Sequence, residues 1–582
     1  MSASANRHRN DRALGAGAVR IVQRSLVPDQ GFGDLHPVLA RVYRGRGLHS
    51  AAEVDHRLAK LLGPDRLGGI DRAATRVAAA IAAGERIVVV GDFDADGATG
   101  TALAVWALRK MGAARVEYHV PHRFNDGYGL SEGFARRIAR GGAGILITVD
   151  HGVACNAGVA AATAGGMEVI VTDHHLPGER LPEAYALVNP NLPNDDFPSK
   201  ALAGVGVVFY LLAAVRQRLE TMGYFADRSV PNLADGLDLV ALGTVADLVP
   251  LDHNNRIMVR AGLERMRRGR CRPGLTALLK LSGRDPARIS AGDLGFALGP
   301  RLNAAGRLED MAIGIRCLLE DDEELAEVLA KELDRLNAER RAVQTEMESE
   351  AESVVAVLVD KLGGQLPPGL LVADPGWHAG VVGLVASRMV ERFARPVLAL
   401  APVEGVWRGS GRSVPGFHLR DALVEVDRRE PGLLQRFGGH AMAAGFTMAG
   451  EGIARLGVCF AEVCGASLGA APPTPEIETD GSISSRELSL ELAQALAAAG
   501  PFGQGFPEPV FDNEFHILGQ KLIKDQHLRL TLRHVDGGPS MTGWWFRHPD
   551  TLKGDRVRLC YQLEVDEWQG VLRPRILVRA QG

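Results

Sequence analysis

VVVGDFDADGATGTAL, Val88 to Leu103, decides how this chain folds. A short apolar run ends in Asp92, Asp94 and Asp96, three carboxylates at alternate positions, followed by Gly97. A helix-loop-helix calcium loop begins in the same way but needs a glutamate at its twelfth position. Counted from Asp92, that position is Leu103. The preceding segment, Arg86 to Gly91, is short and rich in valine, which predicts a buried strand and not a helix. A phosphate-binding P-loop also fails, because no Gly-Lys-Ser/Thr follows. What remains is a carboxylate cluster at the carboxyl end of a strand, opening into a helix expected over Thr99 to Met111. In extended backbone, alternate side chains share a face. Carboxylates so placed repel one another, and a metal ion is the natural counter-charge. A polar turn with one helix-capping aspartate accounts for one of the three, or two at most.

Outward from this stretch, strand and helix alternate. VEYHV (Val116 to Val120), ILITVD (Ile145 to Asp150) and EVIVTD (Glu168 to Asp173) are each predicted as strands separated by helices. This alternation predicts a largely parallel sheet, whose ligand sits beyond the carboxyl ends of its strands. Asp92, Asp94, Asp96, Asp150 and Asp173 all fall at that edge. Helical patterns dominate from Ala201 to about Leu319. From Asp321 to about Val359 the chain is charged and free of Gly and Pro, which predicts one long helix bridging domains. After LGGQLPPG (Leu362 to Gly369) a second α/β unit runs to about Ala466. Beyond the punctuation at Gly469 to Pro475, HLRLTLRH, GWWFRH and RVRLCYQLEV predict a small β-barrel or sandwich.

The 582 residues are 46% hydrophobic and 23% charged with a net charge of -4. That balance describes a soluble chain of several domains and argues against an indiscriminate polyanion binder, while leaving room for a local basic groove. Six scattered cysteines form no Cys-x-x-Cys pair, so neither a zinc ribbon nor a disulfide framework is expected, and a reducing, cytoplasmic compartment fits. The first twenty residues lack the apolar core of a signal peptide and read as a frayed tail. No run is long enough to span a membrane.

The chemistry concentrates in a few motifs. Asp150 opens DHG, Asp173 opens DHH with His174 and His175, and Asp247 ends GTVAD. Carboxylates with imidazole suit Mn2+ or Mg2+, and there are enough ligands for two ions. Two ions about 4 Å apart are the standard device for in-line attack of an activated water on phosphorus. Adjacent histidines after a strand commonly just brace the next loop. Five acidic residues at the same edge favour metal.

In that order and spacing, DFDADG, TVDHG, DHH and GTVADLVPL resemble the signature motifs of the DHH phosphoesterase family. PHRFNDGYGLS (Pro121 to Ser131) and GPRLNAAGRL (Gly299 to Leu308) narrow the resemblance to its bacterial single-strand-specific exonucleases. GWHAGVVGLVASRMVERF (Gly376 to Phe393), GSGRSVPGFHL (Gly409 to Leu419) and RFGGHAMAAGF (Arg436 to Phe446) resemble the associated DHHA1 substrate-binding domain. GPFGQGFPEPVF (Gly500 to Phe511) resembles the start of a C-terminal OB-like domain. The resemblance covers roughly residue 50 to the end. It implies an N-terminal tail and extension (1–49), a parallel-sheet α/β catalytic domain (50–319), a connecting helix (320–361), a DHHA1-like α/β domain (369–466) and a β-rich OB-like domain (475–582).

By position, the resemblance implies metal ligation by Asp94, Asp96, Asp150, His174 and Asp247, with Asp92 varying among relatives. His175 matches the histidine that faces the scissile phosphate, and no direct role is assigned to His151. The implied activity is metal-dependent removal of nucleotides from the 5′ end of single-stranded DNA by a monomer, in repair and recombination, alongside a helicase and a single-strand-binding protein. The residues themselves suggest further contacts. Arg301 and Arg307 are candidates for phosphate charge. Arg123, and Asn303 in a close-approach loop, are candidates for substrate contact. Glycine-flanked Ser410, Arg412 and Ser413 can present backbone N–H groups to an anion, and His440 adds an imidazole. Trp544 and its neighbours Trp545 and Phe546 can stack bases, although at least one of them is expected in the core. A phosphoesterase for dinucleotides or pyrophosphate would use the same metal motifs but has no need of a third binding domain. A non-catalytic DNA scaffold should have lost the carboxylates, and here the set is complete.

Overall fold

The computed structural model of the protein describes residues 19–123, 125–362, 364–468 and 476–582. The tail over 1–18 and the punctuation over 469–475 lie outside the described residues. The catalytic sheet has five parallel strands, β2 (Arg86–Gly91), β3 (Arg115–His119), β4 (Gly144–Val149), β5 (Met167–Thr172) and β6 (Ala186–Val188), in the order β3-β2-β4-β5-β6. Both faces are covered. Ile87 and Val89 join one core cluster while Val88 and Val90 join another on the opposite face. A strand buried on both sides reads as a continuous valine run for that reason.

The helix after β2 starts at Ala95, not at Thr99, and runs to Lys110. The aspartates are therefore not laid along an extended strand. Asp92 follows the last residue of the strand, Asp94 caps the helix and Asp96 sits in its first turn. The tight strand-to-helix turn, and not the pleat, brings them together.

The long helix runs Glu323–Lys361. Its first half packs Leu329, Ala330, Leu333 and Leu336 into the catalytic core. Its second half gives Met347, Ala351 and Val355 to the core of the next domain. That domain carries a mixed sheet of β7 (Leu370–Ala373), β8 (Val397–Val403), β9 (Val406–Arg412), β10 (Leu434–Gly439) and β11 (Ala443–Met448), in the order β10-β11-β9-β8-β7.

At the C-terminus, β13 (Phe511–Ile523), β14 (His527–His534), β15 (Met541–Trp545), β16 (Arg556–Trp568) and β17 (Val571–Gln581) close a barrel. Leu528, Leu530 and Leu532 point inward while Arg529, Thr531 and Arg533 point out, the period-two pattern of a strand. The barrel shares one apolar cluster with the catalytic domain through residues such as Phe506 and Phe511. Order begins before residue 49. β1 (Arg20–Gln23) pairs in parallel with β12 (Glu476–Thr479). The buried Arg46 guanidinium also grips Asp480, with Nη1–Oδ1 at 2.8 Å. No helix among the described residues is long and apolar enough to cross a membrane.

Candidate active site

The carboxyl edge of the catalytic sheet gathers the acidic residues from four chain segments. Asp150 follows β4 in the left-handed region, at φ 65°. Holding a non-glycine residue there costs about 1–3 kcal/mol, a strain that the packing must overcome. Gly204 makes room for it, since a Cβ there would lie 2.5 Å from the Cβ of Asp150. The backbone N–H groups of Gly204 and Val205 donate to the Asp96 carboxylate at 2.6 and 2.9 Å. Asp247 arrives at the end of the helix Leu237–Ala246. His174 Nε2 lies 3.0 Å from Asp150 Oδ1, 3.5 Å from Asp247 Oδ2 and 4.0 Å from Asp96 Oδ2.

These groups form overlapping sets whose ligand atoms lie within 4.8 Å of one another: Asp96, His174 and Asp247; Asp92, Asp94 and Asp150; and Asp150, His174 and His175. Asp150 and His174 are each shared between two sets, the arrangement that two neighbouring cations need. Asp92 Oδ1, Asp150 Oδ1 and His174 Nε2 are buried with no hydrogen-bond partner. Buried polar atoms are costly to leave unpaired, and each of these three belongs to a ligand set that fits a divalent cation.

The electrostatics agree. Burial, reinforced by Asp94, raises Asp96 to about 7. Burial and the carboxylates of Asp96, Asp94 and Asp92 raise Asp247 to about 9. Asp92 and Asp150 are pushed well up by burial and by their acidic neighbours. Burial and the adjacent His175 lower His174 to about 4, which keeps it neutral and able to ligate.

Asp173 is different. Its Oδ1 accepts from the backbone N–H groups of His174 and His175 and lies 2.8 Å from His175 Nδ1, while Oδ2 accepts from the Val153 N–H. Burial would raise its pKa, but these bonds hold it at about 2. Burial likewise lowers His175, yet the Asp173 carboxylate outweighs it and raises the imidazole above its ordinary value. Asp173 thus orients His175 and turns its Nε2 toward the Tyr128 hydroxyl, 3.4 Å away. Tyr128 lies within PHRFNDGYGLS, but sequence reasoning singled out only Arg123 there. His151, buried and hydrogen-bonded to the Val90 carbonyl at 3.0 Å, braces the strand edge.

The arginines separate into two fates. Arg307 reaches across to the second domain, with Nη1 donating to the Gly380 carbonyl at 3.1 Å. Burial and the like charges of Arg123, Arg340 and Arg412 lower it to about 10. Arg123 stacks its guanidinium 3.9 Å from the Phe93 ring centroid and faces Asp92 and Asp94. Arg301 does not join them. It is buried, pairs with Asp334 on the long helix at 2.9 Å and donates to the Ala297 carbonyl. This corrects its expected catalytic role: the arginine serves an interhelical ion pair.

Asn303 is also corrected. GPRLNAAGRL is a helix, Gly299–Leu308, and not a loop. Asn303 Oδ1 accepts from the Ala95 N–H at 2.8 Å, bracing the turn that carries the aspartates. The close approach falls instead at Gly306, where any Cβ would overlap the Phe93 carbonyl oxygen.

In the second domain, GSGR lies in β9, paired on both sides with β8 and β11, so its backbone N–H groups serve the sheet and not an anion. The Ser410 and Arg412 side chains remain available. Ser410 Oγ accepts from Arg412 Nη1 at 2.9 Å, and both project over Gly383 in the first turn of the helix Val382–Phe393. Ser413 is buried and donates to the Phe417 carbonyl at 2.7 Å, so its hydroxyl closes a turn and is not presented to a strand beside Ser410 and Arg412. His440 is exposed on the β10–β11 hairpin. On the barrel, Trp544 stacks on Phe546 with centroids 5.7 Å apart, opposite Arg529 in register, while Trp545 packs against the core.

A parallel sheet with a carboxylate–histidine cluster at its carboxyl edge, facing a second domain across a rank of arginines, defines a metal-dependent phosphoesterase of the DHH class. Comparison with known families agrees. The chain matches the DHH family N-terminal domain over residues 86–244, the DHHA1 domain over 353–456 and the RecJ OB domain over 479–580. It is 49% identical to the single-stranded-DNA-specific exonuclease RecJ of Dickeya dadantii, over 94% of this chain and 96% of that protein. Identity to the Escherichia coli protein of the same name is 47%, over the same shares. The crystal structure of RecJ in complex with Mn2+ from Thermus thermophilus superposes with a TM-score of 0.80 at 30% identity, covering 97% of this chain and 79% of that one. The chain belongs to the RecJ family.

Proposed function

We propose that this protein is a single-stranded-DNA-specific exonuclease that uses Mn2+ or Mg2+, two ions together, and works 5′ to 3′ to release nucleotides. The observation that carries the reading is the three overlapping ligand sets, linked through Asp150 and through His174, with buried ligand atoms that have no hydrogen-bond partner. Asp92, Asp94, Asp96, Asp150, His174 and Asp247 are the residues that would hold the ions. When bound, such ions supply an activated water and neutralise phosphoryl charge.

The chain's own groups do the rest. Asp173 fixes His175 so that its outer nitrogen can donate to a phosphoryl oxygen. Arg123 and Arg307 stand on the same side and would stabilise negative charge developing there. Ser410 and Arg412, above the N-terminal turn of Val382–Phe393, suit a second phosphate, the terminal one. The exposed face of Trp544 and Phe546 beside Arg529 suits a single strand on its way in. A cytoplasmic monomer acting in repair with a helicase and a single-strand-binding protein completes the reading.

The test is Asp150→Asn. Asp150→Asn should lose far more than the ~100-fold in kcat that removing an outer partner of a ligand costs. It should also lose the Mn2+-induced rise in Tm while remaining folded. Retained nuclease activity in the folded variant would overturn the assignment.

A further inference from the structure

The long helix carries a stripe that changes character in the middle. Positions 333, 337, 340, 344, 347 and 351 lie on one face, at the three- and four-residue steps of an α-helix. Leu333 is buried in the catalytic core, and Met347 and Ala351 are buried in the core of the second domain. Between them the same stripe reads Asn337, Arg340, Gln344. Asn337 is only 1% exposed, so this tract is not an ordinary solvated face. Its location is fixed by contacts on either side. Asp334 binds Arg301 of the catalytic domain, and Glu350 accepts from Trp377 Nε1 of the second domain at 2.7 Å. At about 1.5 Å per residue, Arg340 lies roughly 9 Å beyond the first contact and 15 Å before the second, where the helix passes between the domains.

Arg340 is held in place by amides. Its Nη2 donates to Asn337 Oδ1 at 2.6 Å and its Nη1 to Gln344 Oε1 at 2.5 Å. Two amide oxygens orient the guanidinium without neutralising it and leave other N–H donors unused. The same is true of its companions. Arg123 donates to the Gly306 carbonyl, Arg307 to the Gly380 carbonyl, and Arg412 to Ser410 Oγ and the Gly411 carbonyl. Among the described residues, none of these four arginines is in a salt bridge, although 66 Lys and Arg face 70 Asp and Glu in the chain as a whole. Asp92 and Asp94 lie near Arg123 and Glu348 near Arg340, but none of them is in direct ion-pair contact with the four, and Arg307 is lowered by burial and by the like charges of Arg123, Arg340 and Arg412. An anion with several oxygens relieves such repulsion.

From this geometry we infer that Arg340 is a substrate-binding residue: it contacts a backbone phosphate of the DNA strand lying between the metal cluster and the Ser410–Arg412 pocket. Asn337 and Gln344 are its positioning residues. The inference rests on the exonuclease reading and extends it to the connecting helix, which then forms part of the site as well as a spacer.

The experiment is fluorescence anisotropy of a 5′-phosphorylated single-stranded oligonucleotide in chelator, across a range of salt, with Arg340→Gln, Arg340→Lys and Arg341→Gln. Arg341 is the exposed neighbour and serves as the charge control. Arg340→Gln should weaken binding roughly 10- to 100-fold, as loss of a charged hydrogen bond does. It should also flatten the slope of log K against log salt by about 0.7, one phosphate's worth on a single strand. Arg340→Lys should recover the slope but not the full affinity, and Arg341→Gln should match the wild type. An Arg340→Gln protein that binds like the wild type would overturn the inference, as would an equal loss in Arg341→Gln. If the lysine variant, which keeps the charge, failed to recover the slope, the phosphate contact would also be refuted. A wild-type protein that neither binds nor cuts single strands would overturn the exonuclease reading itself, whereas wild-type cleavage with an indifferent Arg340 removes only this step.

Discussion

His175 has little freedom. Its Nδ1 is tied to Asp173, which is itself fixed by three backbone N–H groups. Asp173→Asn should therefore lower kcat by about 10- to 100-fold while leaving the Mn2+-induced rise in Tm intact, because an orienting partner and not a ligand is lost. Loss of the metal-induced shift would instead make Asp173 a ligand. At this scale the sequence was legible where chemistry and position coincide. Aspartates at strand ends can be read from the valine runs before them. Asn303, Ser413 and Arg301 could not be read, because each is polar for a local reason, a cap, a turn and an ion pair, that depends on which segment lies opposite. Arg340 was hidden more completely, inside a charged helix where an arginine carries no pattern of its own.

At the level of elements, the turn from β2 into the helix Ala95–Lys110 does the most to build the site. It was expected as a strand with alternating faces and is instead a capped helix start, with Asp94 Oδ1 accepting from the N–H groups of Asp96 and Gly97 at 3.0 Å. Asp therefore has two uses here, and its capping preference starts the helix at Ala95, a turn earlier than the expected Thr99, while the strand ends at Gly91 as expected. The long helix was legible from composition. What was not legible is that it is bolted to the catalytic domain by Arg301 and Asp334. A double-mutant cycle on Arg301→Ala and Asp334→Ala, read by chemical denaturation, should give a coupling toward the lower end of about 0.5–3 kcal/mol, since Asp334 is 39% exposed. Strict additivity would mean that the pair contributes nothing to the joint.

For the whole molecule, the metal cluster makes stability depend on pH. Asp96 and Asp247 keep their protons up to about 7 and about 9 in the folded chain, against an ordinary value of 3.8. Between those limits the folded state binds more protons than the unfolded state, so stability falls as pH rises. In chelator, Tm should decline from about pH 5 to about pH 9, the window set by those shifts. The increase in Tm on adding Mn2+ should grow over the same range, because protons and metal compete for the same oxygens. A metal-induced shift independent of pH would contradict the cluster as a ligand set. The domain series was readable from motif order, whereas the pairing of β1 with β12 was not, since it joins opposite ends of the chain.

Metal-dependent digestion of a single strand from its 5′ end can be followed by a time course on single-stranded DNA labelled at either the 5′ or the 3′ end, with Mn2+, with Mg2+ or with chelator. The 5′ label should be released immediately as mononucleotide, the 3′ label only at the end, and neither in chelator. Immediate release of the 3′ label, or digestion that survives the chelator, would contradict metal-dependent digestion from the 5′ end.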